Sequence, residues 1–244
     1  MTQMPVRKMS FDFTNDMDLV FVNYDVPQSY MFVGAWMMLP YLEPYLISVM
    51  REAMAQVDDP ALREDLKRFS AQEGQHFRQH AIANEIVRNR TSISDKLLAM
   101  EAELKAEYDS FLADKPLKFN LAYAEAFEAM TTASARTQFE LEEFDNMHGP
   151  LADLFEWHIM EELEHRTVAY EAYEAIVGSY FYRVRAGVTA LRHYFKWVNR
   201  FQQVLMEDHA EELAKYNDDA QLKAAQARVK TFVKRALPRW ANIF

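Results

Sequence analysis

The chain has 244 residues, of which 50% are hydrophobic, 14% aromatic and 26% charged, a balance typical of one large or two small folded domains and not of a disordered chain. Its formal net charge of −10 argues against general nucleic-acid binding, because the phosphate backbone attracts positively charged surfaces. Cysteine is absent, which excludes disulfides, thiol nucleophiles and thiolate metal sites and leaves only oxygen and nitrogen ligands for a metal.

The predicted elements are helices almost throughout. Residues 1–38 mix aromatic, acidic and proline residues without a sustained period, so we predict an irregular arm over the surface. Beyond the arm, capping residues, first-turn prolines and Gly-Pro breaks delimit helices at 43–56, 60–89, 93–112, 117–145, 151–177, from 179 onward, and 218–236. No window alternates convincingly enough for a strand, and only five glycines are available for tight turns. The predicted fold is all-α.

Charge divides the chain unevenly. Residues 1–178 hold 15 basic and 31 acidic residues, a net charge of −16, whereas residues 179–244 hold 12 basic and 6 acidic residues, a net charge of +6. Basic C-terminal helices can dock on the acidic part of the chain, or they can contact a membrane surface or an acidic partner. A homodimer mediated by these helices is also plausible.

No stretch of the sequence resembles a membrane span. The longest nearly apolar run, Met31 to Leu42, is too short and contains Pro40, whereas a transmembrane helix needs about 20 residues. The N-terminal segment carries several charges and no long apolar stretch, so it is not expected to be a secretion signal. We therefore predict a cytoplasmic protein with no transmembrane segment.

The strongest chemical signal is a repeated E-x-x-H pair on two long predicted helices. Residues three or seven positions apart share one face of a helix, so each pair forms a stripe together with one further histidine. The stripes are Glu73, His76 and His80 on one helix and His158, Glu162 and His165 on the other. Two such stripes about ninety residues apart predict a shared metal site.

The helix before each pair also offers a solitary carboxylate. Glu43 lies among apolar and aromatic residues, and the later helix offers both Glu125 and Glu128. A helical hairpin would bring each such carboxylate level with its E-x-x-H pair. Four carboxylates would balance two divalent cations, and the oxygen-and-nitrogen donor set suits iron first, with manganese or zinc as alternatives.

This arrangement resembles the ferritin-like di-metal carboxylate proteins, in which two helices give single Glu ligands and two others give E-x-x-H pairs. More narrowly, the runs 71–80 and 157–170 are similar to the family labelled predicted metal-dependent hydrolases, with a resemblance over residues 36–205. The resemblance implies a four-helix bundle at 39–178, between the arm and the basic helices of 179–244, within one domain overall. The segment around Glu128 fits the family better than that around Glu125, so the resemblance implies Glu128 as the ligand from this helix. The implied metal ligands are Glu43, Glu73, His76, Glu128, Glu162 and His165.

The remaining polar residues of the motifs receive different predictions. His80 and His158 are candidate catalytic residues, as hydrogen-bond donors to the ligands or as substrate contacts, although either can be a core histidine. Glu161 and Glu164 lie off the metal stripe and are predicted to face solvent. Apolar residues around the site are expected to be mostly core, and a hydrophobic substrate channel among them cannot be separated from core by sequence: Met37, Met38, Phe69, Phe127, Phe155 and Trp157.

Three functions fit this pattern. The first is a di-iron or iron–manganese oxidoreductase that activates O2 to oxidise a small, apolar organic substrate, because a carboxylate-rich site in an apolar bundle suits such chemistry. The second is hydrolysis by a metal-activated water. The third is a bundle that stores or senses metal without turnover. We take the oxidoreductase as the leading prediction.

Overall fold

The computed structural model describes residues 4–23, 25–216 and 218–241, so the outermost residues of the predicted arm and of the basic helices lie outside the described residues. The all-α prediction is confirmed: the described residues form helices joined by short loops, and their only β-type pairing is an isolated bridge between Val22 and Met147. The helices are α1 Val26–Trp36, α2 Leu39–Met54, α3 Pro60–Asn89, α4 Ser94–Asp114, α5 Leu117–Glu140, α6 Pro150–His165, α7 Val168–Ile176, α8 Tyr180–Asp208, α9 Ala210–Leu213 and α10 Asp219–Ala241.

Local capping explains where the site helices begin. At α3, the Asp59 carboxylate accepts a hydrogen bond of 2.8 Å from the Ala61 backbone N–H, and Pro60 occupies the first turn. Before α6, Gly149 has a φ of 78°, a left-handed conformation that favours glycine, and Pro150 follows in the first turn. These signals are local in sequence, which is why both starts match the prediction closely.

Several predicted boundaries are wrong, among them the end of the helix predicted over 117–145, because α5 ends at Glu140. Residues 26–36 of the supposed irregular arm form α1, capped by the Asp25 carboxylate, which accepts a 2.9 Å hydrogen bond from the Gln28 N–H. Helix α2 begins at Leu39 instead of 43, so Pro44 lies inside it. The helix predicted over 151–177 is interrupted after His165 and continues as α7.

The helices that carry the E-x-x-H pairs and the solitary glutamates pack together. Helices α2 and α6 both contact α3 and α5. Helix α7 contacts α2, α3 and α5. Helix α8 packs across α1 and α5, and α10 lies against α5. The interior of this arrangement is apolar and buried, so polar groups that project into it are removed from water. A ferritin-like topology remains a prediction.

Among the described residues, none of the helices combines the length and hydropathy that a bilayer crossing requires. The predicted cytoplasmic location, peripheral membrane contact and homodimer stay predictions.

The contact between α1 and α8 depends on a glycine. A Cβ atom added to Gly34 would lie 2.8 Å from the Val198 carbonyl oxygen and 3.0 Å from the Gln202 nitrogen, both backbone atoms that cannot rotate away. We expect Gly34→Ala to lower the free energy of unfolding by about 1–3 kcal/mol through overpacking. Gly74→Ala, whose Cβ would meet nothing within 4 Å, is expected to raise it by about 0.5–1 kcal/mol.

Urea denaturation of the two variants measures both effects. Equal stabilities for the two alanine variants would contradict the close approach of α1 and α8.

Candidate metal centre

Four helices bring the predicted ligands into one buried cluster. Helix α2 provides Glu43, α3 provides Glu73 and His76, α5 provides Glu128, and α6 provides Glu162 and His165. Each of these side chains belongs to a residue that is at most 1% exposed. Residues far apart in sequence thus meet in the interior, and we call these six residues the carboxylate–imidazole cluster.

One end of the cluster converges on His165. Its Nε2 atom lies 3.3 Å from a Glu128 oxygen, 3.4 Å from a Glu73 oxygen and 3.5 Å from a Glu162 oxygen. Donor atoms of Glu73, Glu128 and His165 all lie within 4.8 Å of one another, a spacing that can hold a cation. One imidazole and several carboxylates therefore surround a common point.

The other end converges on His76. Its Nδ1 atom lies 3.7 Å from a Glu73 oxygen and 3.8 Å from a Glu162 oxygen. Glu43, Glu73 and His76 form a second group with donor atoms within 4.8 Å. Glu73 and Glu162 approach both imidazoles, so they occupy the middle of the cluster.

His80 and His158 lie beside the cluster and contact each other. His80 Nε2 and His158 Nδ1 are 2.6 Å apart, and His158 Nε2 is 2.9 Å from Glu162 Oε1. Burial lowers the pKa of both histidines, and the neighbouring imidazoles lower it further, which favours the neutral form of both rings. Both histidines also fall in groups with cation-holding spacing, His80 with Glu43 and His158.

A reciprocal pair of hydrogen bonds orients the two E-x-x-H imidazoles. His165 Nδ1 is 3.0 Å from the Gln72 amide oxygen, and His76 Nε2 is 3.1 Å from a Glu161 oxygen. Gln72 and Glu161 each precede the glutamate of one pair and contact the histidine of the other pair. Such contacts fix which ring nitrogen points at a metal.

These two orienting residues were not found by sequence reasoning. The prediction that Glu161 faces solvent is wrong, because its side chain is fully buried against His76. Both residues occupy the same position in the motif, immediately before the glutamate of an E-x-x-H pair. The sequence does not show their role, because the histidine that each one contacts lies on the other helix.

Arg7 joins the outer residues of the cluster. It donates a hydrogen bond of 2.9 Å to Glu161 and further bonds of 2.9 and 2.6 Å to Glu164. Glu164 in turn accepts a hydrogen bond of 2.8 Å from the Gln72 amide nitrogen. The guanidinium of Arg7 thus holds Glu161 in place directly and Gln72 through Glu164.

Charge within the cluster is unbalanced. Burial raises the pKa of Glu43 well above its ordinary value, and the neighbouring Glu73 carboxylate raises it further. Burial and the Glu162 carboxylate act in the same way on Glu128. Burial alone would lower the pKa of His76, but the Glu161 hydrogen bond and the Glu73 carboxylate raise it to about 10. Positive charge is thus strongly favoured among these carboxylates.

The alternative carboxylate on α5 has another partner. Glu125 lies one helical turn before Glu128 on α5. Its Oε1 atom is 2.7 Å from the guanidinium of Arg183 on α8. Glu128 instead reaches the cluster through His165. The geometry therefore places Glu128, and not Glu125, with the other candidate ligands.

The donor atoms of the cluster fit divalent cations. Several buried atoms directed at its interior have no hydrogen-bond partner, although buried polar atoms ordinarily have one. These atoms are His76 Nδ1, His165 Nε2, Glu73 Oε1, Glu162 Oε2 and both carboxylate oxygens of Glu43 and Glu128. Imidazole nitrogens whose opposite nitrogens are hydrogen-bonded, together with carboxylate oxygens, are the donors that iron, manganese and zinc accept.

Fold and site together define an all-α protein with a buried carboxylate–imidazole cluster suited to divalent metal ions. The chain matches the family model described as "predicted metal-dependent hydrolase" over residues 5–244, and it belongs to that family. No curated protein and no solved structure matches the chain significantly. The resemblance inferred from the two E-x-x-H runs is thereby confirmed.

The family corrects the leading functional prediction. The sequence-based prediction of an O2-activating oxidoreductase is wrong, because the family that covers nearly the whole chain is described as predicted metal-dependent hydrolases. Carboxylate and imidazole donors in an apolar bundle serve both oxidative and hydrolytic metal chemistry, so the ligand pattern does not distinguish the two. The hydrolytic alternative agrees with the family, and metal dependence agrees with the buried cluster.

Proposed function

We propose that the protein is a hydrolase whose carboxylate–imidazole cluster holds two divalent cations. The observation that carries the proposal is the set of buried, unpartnered nitrogen and oxygen atoms directed at the interior of the cluster. The family supports the reaction class. The metal identity is left to measurement, because iron, manganese and zinc all accept these donors.

The six residues divide between two cation positions. His165, Glu128 and Glu73 would hold one cation, and His76, Glu43 and Glu73 the other, in line with the two groups of closely spaced donor atoms. Glu162, which approaches both imidazoles, would be shared with Glu73. When bound, two divalent cations supply Lewis-acid polarisation of the scissile group and a water of lowered pKa.

The chain's own contribution to proton transfer would come from the His80–His158 pair. A neutral imidazole can accept a proton, and His158 bridges Glu162 on one side and His80 on the other. The Glu162 carboxylate accepts from His158 Nε2, so His158 Nδ1 is free to accept from His80 Nε2. A proton taken up at the unpartnered His80 Nδ1 can therefore be passed on from His80 Nε2 to His158 Nδ1. The buried Trp36 ring, whose centroid lies 6.0 Å from that of His80, helps to keep bulk water away from this path.

Replacing His158 tests this role. We expect His158→Ala to retain metal and to lower kcat by about 10²–10⁴-fold, because general acid–base catalysis contributes that much. Metal content and turnover are measured on the same preparation. Loss of metal together with turnover would assign His158 to the ligands and contradict a proton-transfer role.

A second prediction concerns the outer hydrogen bond to His76. Glu161→Ala removes the acceptor that orients the ring, and we expect metal affinity to fall about 10–100-fold. Glu156→Ala, an exposed position on the same helix, is the matched control and is expected to leave affinity unchanged. Competition with a chromophoric chelator measures both variants, and equal affinities would rule out an orienting role for Glu161.

The reaction class is tested with chromogenic esters, anilides and phosphodiesters. We expect the metal-loaded protein to hydrolyse at least one class, to lose this turnover with chelator and to regain it with metal. Because water is the only co-substrate, the rate should be the same with and without O2. Full metal occupancy without turnover of any class would contradict the proposal and favour a metal-storing bundle.

A further inference from the structure

A large apolar cavity adjoins the carboxylate–imidazole cluster. Its volume is about 340 Å³, and it lies between α1, α5, α6, α8, α10 and the first residue of α2. Typical small-molecule sites have roughly 300–1,000 Å³. The cavity is therefore large enough for an organic ligand, and it is formed by helices on both sides of α5.

Exposure changes along the cavity lining. Met31, Phe195 and Val233 are 37%, 41% and 40% exposed, whereas Trp36 and His158 are only 4% and 5% exposed. The exposed residues mark the side open to solvent, and the buried ones mark the inner end. His158 belongs both to this inner end and to the cation-spaced group with His76 and Glu162, so the cavity ends at the candidate metal centre.

The described part of the lining offers no ionic partner for a charged group placed within the cavity. Among the described residues that line the cavity, there is no Asp, Glu, Lys or Arg. Some of its polar groups already have partners within the protein: the Gln202 amide donates to the Pro27 carbonyl, and the Ser134 hydroxyl accepts from the Trp240 ring N–H. Long apolar side chains make up most of the wall, including the flexible Met31 and Met130. The amide oxygens of Gln28 and Gln138 have no hydrogen-bond partner within the described part of the chain, but these few polar groups would not replace the hydration that sugars, nucleotides and charged peptides would lose there.

We propose, resting on the proposed function, that the cavity binds a linear aliphatic chain of about ten carbons and places the hydrolysable end beside His158. The length follows from the volume, since one methylene-sized group occupies about the 30 Å³ of a water molecule. For a carboxylic ester of such a chain, water adds to the carbonyl carbon and the acyl C–O bond breaks. The water oxygen stays with the acid, and one of its protons goes to the alcohol.

Binding of linear fatty acids from butanoate to tetradecanoate tests the cavity without requiring turnover. Isothermal titration of the metal-loaded and metal-free protein gives the dissociation constants. We expect the constant to fall about three- to fourfold per added methylene up to roughly ten carbons and then to level off. A constant that does not change with chain length would overturn the proposal.

A matched pair of substitutions locates the binding site. Ala35→Phe places a ring at a half-buried position of the cavity wall, and we expect it to weaken decanoate binding at least tenfold while leaving butanoate nearly unaffected. Ala102→Phe, the same change at an exposed position of α4 outside the cavity, should leave both constants unchanged. Equal decanoate binding by the two variants would contradict the assignment of the chain to this cavity.

The two proposals can fail separately. Chain-length-dependent binding that Ala35→Phe weakens, with no hydrolysis of any ester, anilide or phosphodiester, would support the cavity's ligand and refute the hydrolase. Ester hydrolysis with equal kcat/KM for acetyl and decanoyl esters would support the hydrolase and overturn the aliphatic chain.

Discussion

Glu128→Gln is expected to lower kcat/KM by about a thousandfold and to reduce the metal content of the protein. Glu128 lies 3.3 Å from the His165 ring nitrogen and has two buried carboxylate oxygens without hydrogen-bond partners. An amide is a weaker and neutral donor, so a cation at this end of the cluster would lose charge compensation. Metal catalysis contributes several kcal/mol to the transition state, and about 4 kcal/mol corresponds to three powers of ten in rate.

Glu125→Gln is the matched control, because the same change is made one helical turn away on α5. Glu125 contacts Arg183 and not the cluster, so its variant should keep its metal. It is expected to lose stability by about 3–5 kcal/mol, since the change removes the charge that compensates a buried arginine. Elemental analysis of both variants distinguishes them, and loss of metal from Glu125→Gln alone would reverse the assignment.

Removal of metal is expected to lower the melting temperature by roughly 8–16 °C. Four carboxylates, those of Glu43, Glu73, Glu128 and Glu162, are buried together, and bound cations would offset their repulsion. A ligand at about a thousand times its dissociation constant stabilises the folded state by about 4 kcal/mol. For a chain of this size each kcal/mol shifts the melting temperature by about 2–4 °C.

The measurement is differential scanning calorimetry before and after dialysis against chelator. A variant with both His76→Ala and His165→Ala is the control, because it should show no difference between the two conditions. Identical melting temperatures for the wild-type protein with and without chelator would mean that the cluster tolerates its own charge and needs no cation.

Sequence reasoning identified those parts of the fold that have local signals. Helix α3 was predictable because Asp59 and Pro60 mark its start. Helix α1 was missed because it is largely apolar around its circumference and shows no helical period, although Asp25 and Pro27 provided a cap. The interruption after His165 contains neither glycine nor proline, so nothing in the pattern marks it.

The same distinction holds for the candidate site. The two E-x-x-H pairs were recognisable because residues three apart share a helix face. The bonds from Gln72 to His165 and from Glu161 to His76 cross between helices, and they depend on how α3 and α6 are aligned. The apolar cavity is formed by six helices, so no single segment of sequence reveals it.

Titration of the metal-free protein with a divalent cation, with hydrolysis followed at each addition, tests the two-metal hydrolytic centre most directly. We expect turnover to rise with added metal and to stop rising at about two equivalents per chain, since two groups of donor atoms share Glu73. Hydrolysis that does not depend on metal, or a protein that binds none, would contradict the account.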